Sequence, residues 1–312
     1  MKIYSFAVLT ILFVLLFSCS EQPEYLEDKS SVSALVYGNN KFIAGFGWAK
    51  MSISNNGRDW TPINKPFKTY TTNALAYGNG VFVAGSISGA MAYSSDGEAW
   101  NLINNSPFGT SNIYSICYAN DLFIAVGQNG IVANSDDGIN WNKINQSTFE
   151  YYDDICTVIY SHEKFIIGGN KFDPYGKFLG SAFSYSVDGN IWQPINQIND
   201  NYVLSSVFGT DKYVTGYSRG QIKYSLNGLN WENSNVSCFG KNETIRSITF
   251  GEGKYLAVGG GGTIAYSNDG INWHKKNHNI ETNGFLSTIY GNGIFLVGDW
   301  NGNITIFHIS DF

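Results

Sequence analysis

The side chains able to do chemistry are few in this sequence and poorly spaced for it. Four histidines, His162, His274, His278 and His308, are not spaced as a set of metal ligands. Two acidic pairs, Asp136-Asp137 and Asp153-Asp154, offer the paired carboxylates a glycoside-cleaving site would need. Adjacent residues on a strand point to opposite faces, however, so neither pair makes a convincing site. No nucleophile elbow and no phosphate loop is present, and the glycine run at 259–262 has no helix after it. These residues name no catalytic group, no cofactor and no metal.

Cysteine carries the one local chemical signal. Lys2 opens the chain, an apolar stretch of about a dozen residues follows at 6–17, and Leu16-Phe17-Ser18-Cys19 ends it. Such a stretch is too short to span a bilayer and reads as the apolar core of a signal peptide. Its last four residues resemble a bacterial lipobox, which implies cleavage before Cys19 and a diacylglycerol on that thiol. An ordinary signal peptide with a chance cysteine is the plainer reading. Lipidation at Cys19 would tether the protein to the bacterial cell envelope, on the outer membrane or the cell surface. Cys117, Cys156 and Cys238 remain, and an odd number excludes a full disulfide framework.

Composition narrows the partners. The net charge is −6 with no run of Lys or Arg, so the basic stripe that nucleic acid requires is missing. Charged residues make up only 14% of the chain while Gly numbers 35 and aromatics reach 16%, a balance that suits many short strands joined by tight turns.

The elements that must position any site come from an internal repeat. The stretch Ile116-Cys117-Tyr118-Ala119-Asn120-Asp121-Leu122-Phe123 is echoed by Leu75-Ala76-Tyr77-Gly78-Asn79-Gly80-Val81-Phe82 and again by Ile289-Tyr290-Gly291-Asn292-Gly293-Ile294-Phe295. Its first aromatic occurs seven times, at Tyr37, Tyr77, Tyr118, Tyr160, Phe208, Phe250 and Tyr290. A second set follows at Phe42, Phe82, Phe123, Phe165, Tyr213, Tyr255 and Phe295. Six of the repeats then run from a serine through Asp-Gly or Asn-Gly to a tryptophan. The pairs are Ser54 and Trp60, Ser94 and Trp100, Ser135 and Trp141, Ser186 and Trp192, Ser225 and Trp231, Ser267 and Trp273. Asp96, Asp137, Asp188 and Asp269 occupy the acidic position, with Asn56 and Asn227 in the other two. Asp-Gly and Asn-Gly tolerate positive φ and mark tight hairpins.

Each repeat of about 40 residues therefore supplies three strands, a hairpin and a fourth strand opening at tryptophan, the make-up of a propeller blade. The pattern resembles the Asp-box (bacterial neuraminidase repeat) families from residue 32 to 312. It implies an all-β, seven-bladed propeller of four-stranded antiparallel blades, behind a signal peptide at 1–18 and a tether or closing strand at 19–31. The boxes are expected to be structural, with each tryptophan burying on the order of 150–250 Å² between blades. The seventh unit has no box. The spare segment 24–29 is expected to complete it, a three-stranded blade with a flexible tether being the alternative.

With strands lettered A to D from the channel outward, the B–C and D–A loops open on one face and the box turns on the other. Blade four carries about nine extra residues there, including Phe172 and Tyr175. Trp48 and Trp300 fall outside the box series and are read as matching B–C positions of blades one and seven, with Tyr217 and Arg219 at that place in blade five. The D–A loops add Phe67, Tyr70, Phe108, Phe149, Tyr151, Tyr152 and Tyr202. Aromatics converging on one wet face suit stacking on sugar rings or a protein hot spot; otherwise each packs on its own loop. A sialidase, as the family resemblance would have it, grips a carboxylate with three arginines at the centre of six blades. Arg58, Arg219 and Arg246 are the only arginines, and Arg58 lies within a box turn on the face opposite Arg219. Sialidase activity is thereby argued against. The reading is a non-catalytic binding or assembly module, meeting a protein partner or a glycan. A carbohydrate-binding protein or glycoside-active enzyme using the B–C face is the alternative.

Overall fold

The computed structural model describes residues 30–145, 147–235 and 238–312, with the side chains of 196–198 left aside. Cys19 and the segment 24–29 lie outside the described residues. Seven antiparallel sheets follow one another along the chain. Their A strands are Val32–Gly38, Thr72–Gly78, Ile113–Ala119, Asp154–Ser161, Val203–Phe208, Ile245–Gly251 and Phe285–Gly291. Six sheets have four strands; blade seven has three among the described residues, ending in Ile304–His308. The molecule is a seven-bladed β-propeller.

Turn chemistry explains why the strands fold back where they do. Six of the seven A–B turns place two residues at positive φ, for example Asn39 and Asn40 (47° and 58°) and Asn292 and Gly293 (48° and 78°). That geometry matches the twist of the strands it joins. In the C–D turns the serine Oγ accepts the glycine amide at 2.9 Å in all six copies. The neighbouring Asp or Asn accepts the next two amides, as Asp137 does from Ile139 and Asn140 at 2.8 and 2.7 Å. Four tryptophans donate Nε1–H to that glycine's carbonyl, at 2.9 Å from Trp60 and 3.0 Å from Trp141, with Trp100 and Trp273 alike. Asn56 and Asn227 present the same Oδ1 as the aspartates, so the turn survives without the charge.

The core lies between blades. Strand B is buried along most of its length in every blade, as in Phe42, Ile43 and Ala44, and carries the second aromatic into the gap beside its neighbour. Trp192, Trp231 and Trp273 are buried, while Trp60, Trp100 and Trp141 are half-buried against adjacent clusters. Where strand A ends in glycine, the first aromatic of the next blade lies over that glycine. A Cβ on Gly38 would stand 2.1 Å from Tyr77, and one on Gly291 would stand 2.3 Å from Tyr37.

Side chains stitch every blade interface to the main chain next door. Ser115, Thr157, Ser205 and Ser247 accept the amides of Val158, Ser206, Ile248 and Thr288, at 3.0–3.3 Å. Ser287 Oγ donates to the Val32 carbonyl at 2.9 Å and closes the ring from blade seven to blade one. Ser33 Oγ donates to Thr72 at 2.6 Å and Asn73 Nδ2 to Ile113 at 2.9 Å, completing the circuit. Among the described residues, closure rests on these contacts between blade seven and blade one.

Blade seven finds a substitute for its missing tryptophan. After Ile304–His308 the chain makes a short 3-10 turn, Ile309–Asp311, and Phe312 folds back onto Phe295 with ring centroids 5.6 Å apart. Trp141 meets Phe123 at 6.2 Å and Trp273 meets Tyr255 at 6.4 Å in the same relation.

Candidate functional site

Every A strand breaks register with its B strand at one point, and always at the same point. The breaks fall between Val32 and Ala34, Thr72 and Ala74, Ile113 and Ser115, Ile155 and Thr157, Val203 and Ser205, Ile245 and Ser247, and Phe285 and Ser287. Each is a β-bulge, whose extra residue leaves the ladder and is re-aimed. The seven extra residues are Ser33, Asn73, Tyr114, Cys156, Leu204, Arg246 and Leu286. All seven line a single cavity of about 430 Å³ at the channel mouth, together with Ser31, Thr71 and Trp300. Deeper in, a channel of about 210 Å³ is walled by the small residues that follow each bulge, such as Ala34, Ser115 and Ser247.

Arg246 dominates the electrostatics of this mouth. Its guanidinium lies 6.0 Å from the Trp300 ring, within cation–π range. The side chain is open along the channel axis, yet the surrounding blades pull its pKa below the ordinary value by burial. Among the described residues no carboxylate lines the cavity. Asp154 stands behind Tyr114 and Cys156; its own pKa is raised by burial first and by Asp153 second. Burial raises Tyr114 as well, with Asn112 opposing and the charge of Asp154 adding. The Cys156 thiol, which accepts Asn170 Nδ2 at 3.2 Å, is pushed by burial up to about 12 and is no nucleophile at neutral pH. The mouth therefore offers one cation, several neutral hydrogen-bonding groups and two leucines. Such a set of groups can bind a ligand.

The residues singled out from sequence divide into two groups. Trp300 is 45% exposed and joins the mouth; Trp48 is 72% exposed and lies outside its lining. They do not occupy matching positions. Trp48 (φ 57°) and Arg219 (φ 58°) sit at the tips of the same short turn, whereas the Trp300 amide pairs with Gly284 as that of Gly47 does with Ser31, one residue earlier in the hairpin. That one-residue offset puts Trp300 against the channel and Trp48 at a loop tip. Tyr217 is corrected outright: it is 1% exposed at the end of its B strand and forms part of the core. The extra residues of blade four extend a hairpin, Lys164–Phe172 with Phe178–Ser186. Tyr175 is fully out at its tip, and Phe172 packs on Phe178 and Tyr202. Phe67, Phe108 and Phe149 are buried under their loops, while Tyr70, Tyr151, Tyr152 and Tyr202 remain exposed.

The other chemical candidates are separated. His162 meets Phe208 edge-on, as His278 meets Phe285, His274 packs tilted against Tyr266, and His308 ends the last strand. Among the described residues no three His, Cys, Asp or Glu converge on a metal position. Asp153 is buried and accepts the amides of Glu150 and Phe172, and Asp137 belongs to a turn. The bulge ring is what sequence reasoning missed. Its signal is a column of dissimilar residues set between a bulky apolar or β-branched residue and Ala, Ser or Thr in all seven repeats.

No protein-family model matches the sequence, and no curated protein matches it. Solved structures do resemble it. YCF48 from Cyanidioschyzon merolae is 16% identical, with 92% of this chain and 98% of that one covered at a TM-score of 0.69. YCF48 bound to D1 peptide is also 16% identical, over 91% and 93% at 0.70. Virginiamycin B lyase from Staphylococcus aureus is 10% identical, over 89% and 94% at 0.75. At such identities the likeness establishes the propeller and leaves the chemistry to the site.

Proposed function

We propose that this chain is a non-catalytic binding or assembly protein that takes an extended polypeptide segment at the channel mouth. The observation that carries this is the ring of seven bulged residues, in which Arg246 on Trp300 is flanked by Leu204 and Leu286. A strip of cation between apolar groups fits an acidic or carbonyl-rich peptide bearing apolar side chains. A neighbour in fold, YCF48, was solved with a peptide bound, which supports the reading without carrying it. We further propose that the repeats belong to the Asp-box type. Residues 1–18 would be a signal peptide, and Cys19 would be acylated and hold the propeller on the cell envelope, with the mouth serving partners there.

The test is a parallel screen of the protein on peptide and glycan arrays, with Arg246→Gln and Trp300→Ala variants alongside. Peptides retained by the parent and lost by both variants are the expected result. Glycan binding that survives both variants and fails in Trp48→Ala would move the site to the loop tips and overturn the reading.

A further inference from the structure

The exposed tryptophans and tyrosines of the described residues all lie on one face. Trp48, Tyr175 and Trp300 stand on B–C hairpins, and Tyr70, Tyr151, Tyr152 and Tyr202 on D–A connections. Main-chain bonds tie the two sets of loops together around the mouth, as Gly47 donates to Ser31, Ile87 to Thr71, Ser218 to Tyr202 and Trp300 to Gly284. Charge divides the same way. On the mouth face Lys65, Lys68, Lys177, Arg219, Lys241 and Arg246 are exposed, against Glu150, Asp200 and Glu281. Among the described residues none of those six cations forms an ion pair. On the hairpin-turn face Asp59, Asp96, Asp121, Glu163, Asp211 and Glu252 are exposed, with Arg58 the exposed cation there.

Turn chemistry singles out two of the tips. The B–C turns of blades one, three, five and six each hold two residues at positive φ. Blade three uses Asn129-Gly130 (61° and 62°) and blade six Gly261-Gly262 (65° and 68°), residues that tolerate such angles. Blade five puts Arg219 first, at 58°, and blade one uses Trp48-Ala49, at 57° and 62°. A bulky side chain at positive φ is strained, and the Trp48 ring recovers nothing from packing because it is 72% exposed. Backbone strain held without a structural return marks a working position. At the same place on two hairpins, the chain thus carries an exposed tryptophan and an exposed arginine.

We infer that the mouth face is a membrane-docking surface, its tryptophan and tyrosine tips entering the headgroup layer of an anionic bilayer while Arg219 and the neighbouring lysines meet lipid phosphates. Tryptophan and tyrosine are the side chains that settle at the level of the headgroups, and unpaired cations are drawn to an anionic leaflet. The acidic hairpin turns are repelled by the same surface, so charge alone orients the propeller with its mouth toward the lipid. A protein hot spot would gather its aromatics in one packed centre. Here they stand apart on the loops of several blades, around a central cavity, which suits a surface that deforms to meet each tip. The inference does not depend on acylation of Cys19.

The full chain, mixed with vesicles carrying a headgroup nitroxide, tests this through bimane on Pro174→Cys, beside Tyr175 on the mouth face, or on Ser95→Cys in a hairpin turn. The parent treated with the same label supplies the blank for its native thiols. Vesicles of equal phosphatidylcholine and phosphatidylglycerol should quench bimane at 174 and not at 95, and added salt or phosphatidylcholine alone should weaken the effect. Equal quenching at both positions, or quenching at 95 alone, overturns the orientation. Trp48→Asn then separates a docking tip from a structural one. It should melt no lower than the parent, since asparagine tolerates positive φ. Yet it should lower the docking constant read from the quenched fraction roughly tenfold, as losing about a third of a tryptophan's surface from the headgroup layer would. A Trp48→Asn protein that melts lower and docks as the parent does would make Trp48 structural and overturn its role. Quenching at neither position, with Trp48→Asn weakening capture of a peptide instead, would give the tips to a protein partner and overturn the membrane surface.

Discussion

Replacing Phe312 by alanine should destabilise the whole ring, although Phe312 is the last residue of the sequence and only half-buried. Its ring lies 5.3 Å from Tyr266, 5.6 Å from Phe295 and 5.8 Å from Phe307, and Lys276 Nζ stands 5.6 Å from its centroid. Truncating a fully buried Phe or Trp costs about 3–5 kcal/mol. Half burial reduces that to about 1.5–3 kcal/mol for Phe312→Ala, because the exposed side loses neither transfer energy nor packing. In a chain of this size each kcal/mol moves Tm by roughly 2 °C, so the expected fall is about 3–6 °C. Trp273→Ala sets the scale: at 1% exposure it should cost the full about 3–5 kcal/mol, or roughly 6–10 °C. Phe312→Trp should match the parent or exceed it. Calorimetric Tm values for the three variants decide the matter. A Phe312→Ala protein melting within about 1 °C of the parent, beside a Trp273→Ala protein that falls as expected, would show that Phe312 does not replace the seventh tryptophan.

Three further outcomes follow from named contacts. Asn170 is 5% exposed and exchanges two hydrogen bonds with the Val203 main chain, at 2.9 and 3.1 Å; Asn170→Ala leaves both Val203 groups buried and unpaired and should cost about 2–4 kcal/mol in urea unfolding. Burial opposes ionisation of Asp137 and Asp269, but the amides of Asn140 and Asn272 and the hydrogen bonds beside them outweigh it and hold both carboxyls at about 2. Their folded pKa lies below the unfolded one, so their contribution is whole above about pH 4 and lost as pH falls toward 2. Asp137→Asn with Asp269→Asn should flatten Tm against pH across that window, since Asn56 and Asn227 show that the turn keeps its geometry uncharged. Arg246→Gln should leave Tm within about 1 °C of the parent while abolishing peptide binding, because exposed positions outside the core contribute little to stability.

Much of the architecture was written locally and could be read. Asn-Gly and Asp-Gly turns demand positive φ, and their sixfold recurrence beside seven pairs of aromatics admits few structures other than a propeller. What escaped depends on register. Tyr217 reads from sequence as a surface residue because a hairpin tip and a strand end two positions apart look alike there. The shift between Trp48 and Trp300 is a single residue, and one residue decides whether a hairpin side chain meets the channel or solvent. Phe312 was invisible as a tryptophan surrogate because the box around it is gone; only three-dimensional packing on Phe295 reveals the equivalence. The bulges leave no turn signal at all. They emerge from aligning the repeats and asking which column is free to vary between constrained neighbours.

That column also discriminates between ligands. A ring serving only to fill the channel would use similar side chains in every blade, as the following column does with Ala, Ser and Thr. The bulge column instead splits into two arcs: Ser33, Asn73 and Tyr114 in blades one to three, and Leu204, Arg246 and Leu286 in blades five to seven. A sugar presents hydroxyls around its rim and would gain little from two leucines beside a cation. A peptide gains from both arcs, its carbonyls meeting the polar one and its side chains the other. Leu204→Ser with Leu286→Ser therefore separates the cases, as both residues are half-exposed and the double variant should fold. If a peptide occupies the mouth, losing two apolar contacts of about 1 kcal/mol each should weaken its Kd by roughly 10- to 50-fold. If a glycan does, added hydroxyls in the ring should leave Kd unchanged or tighten it, and that result in isothermal titration would end the peptide reading.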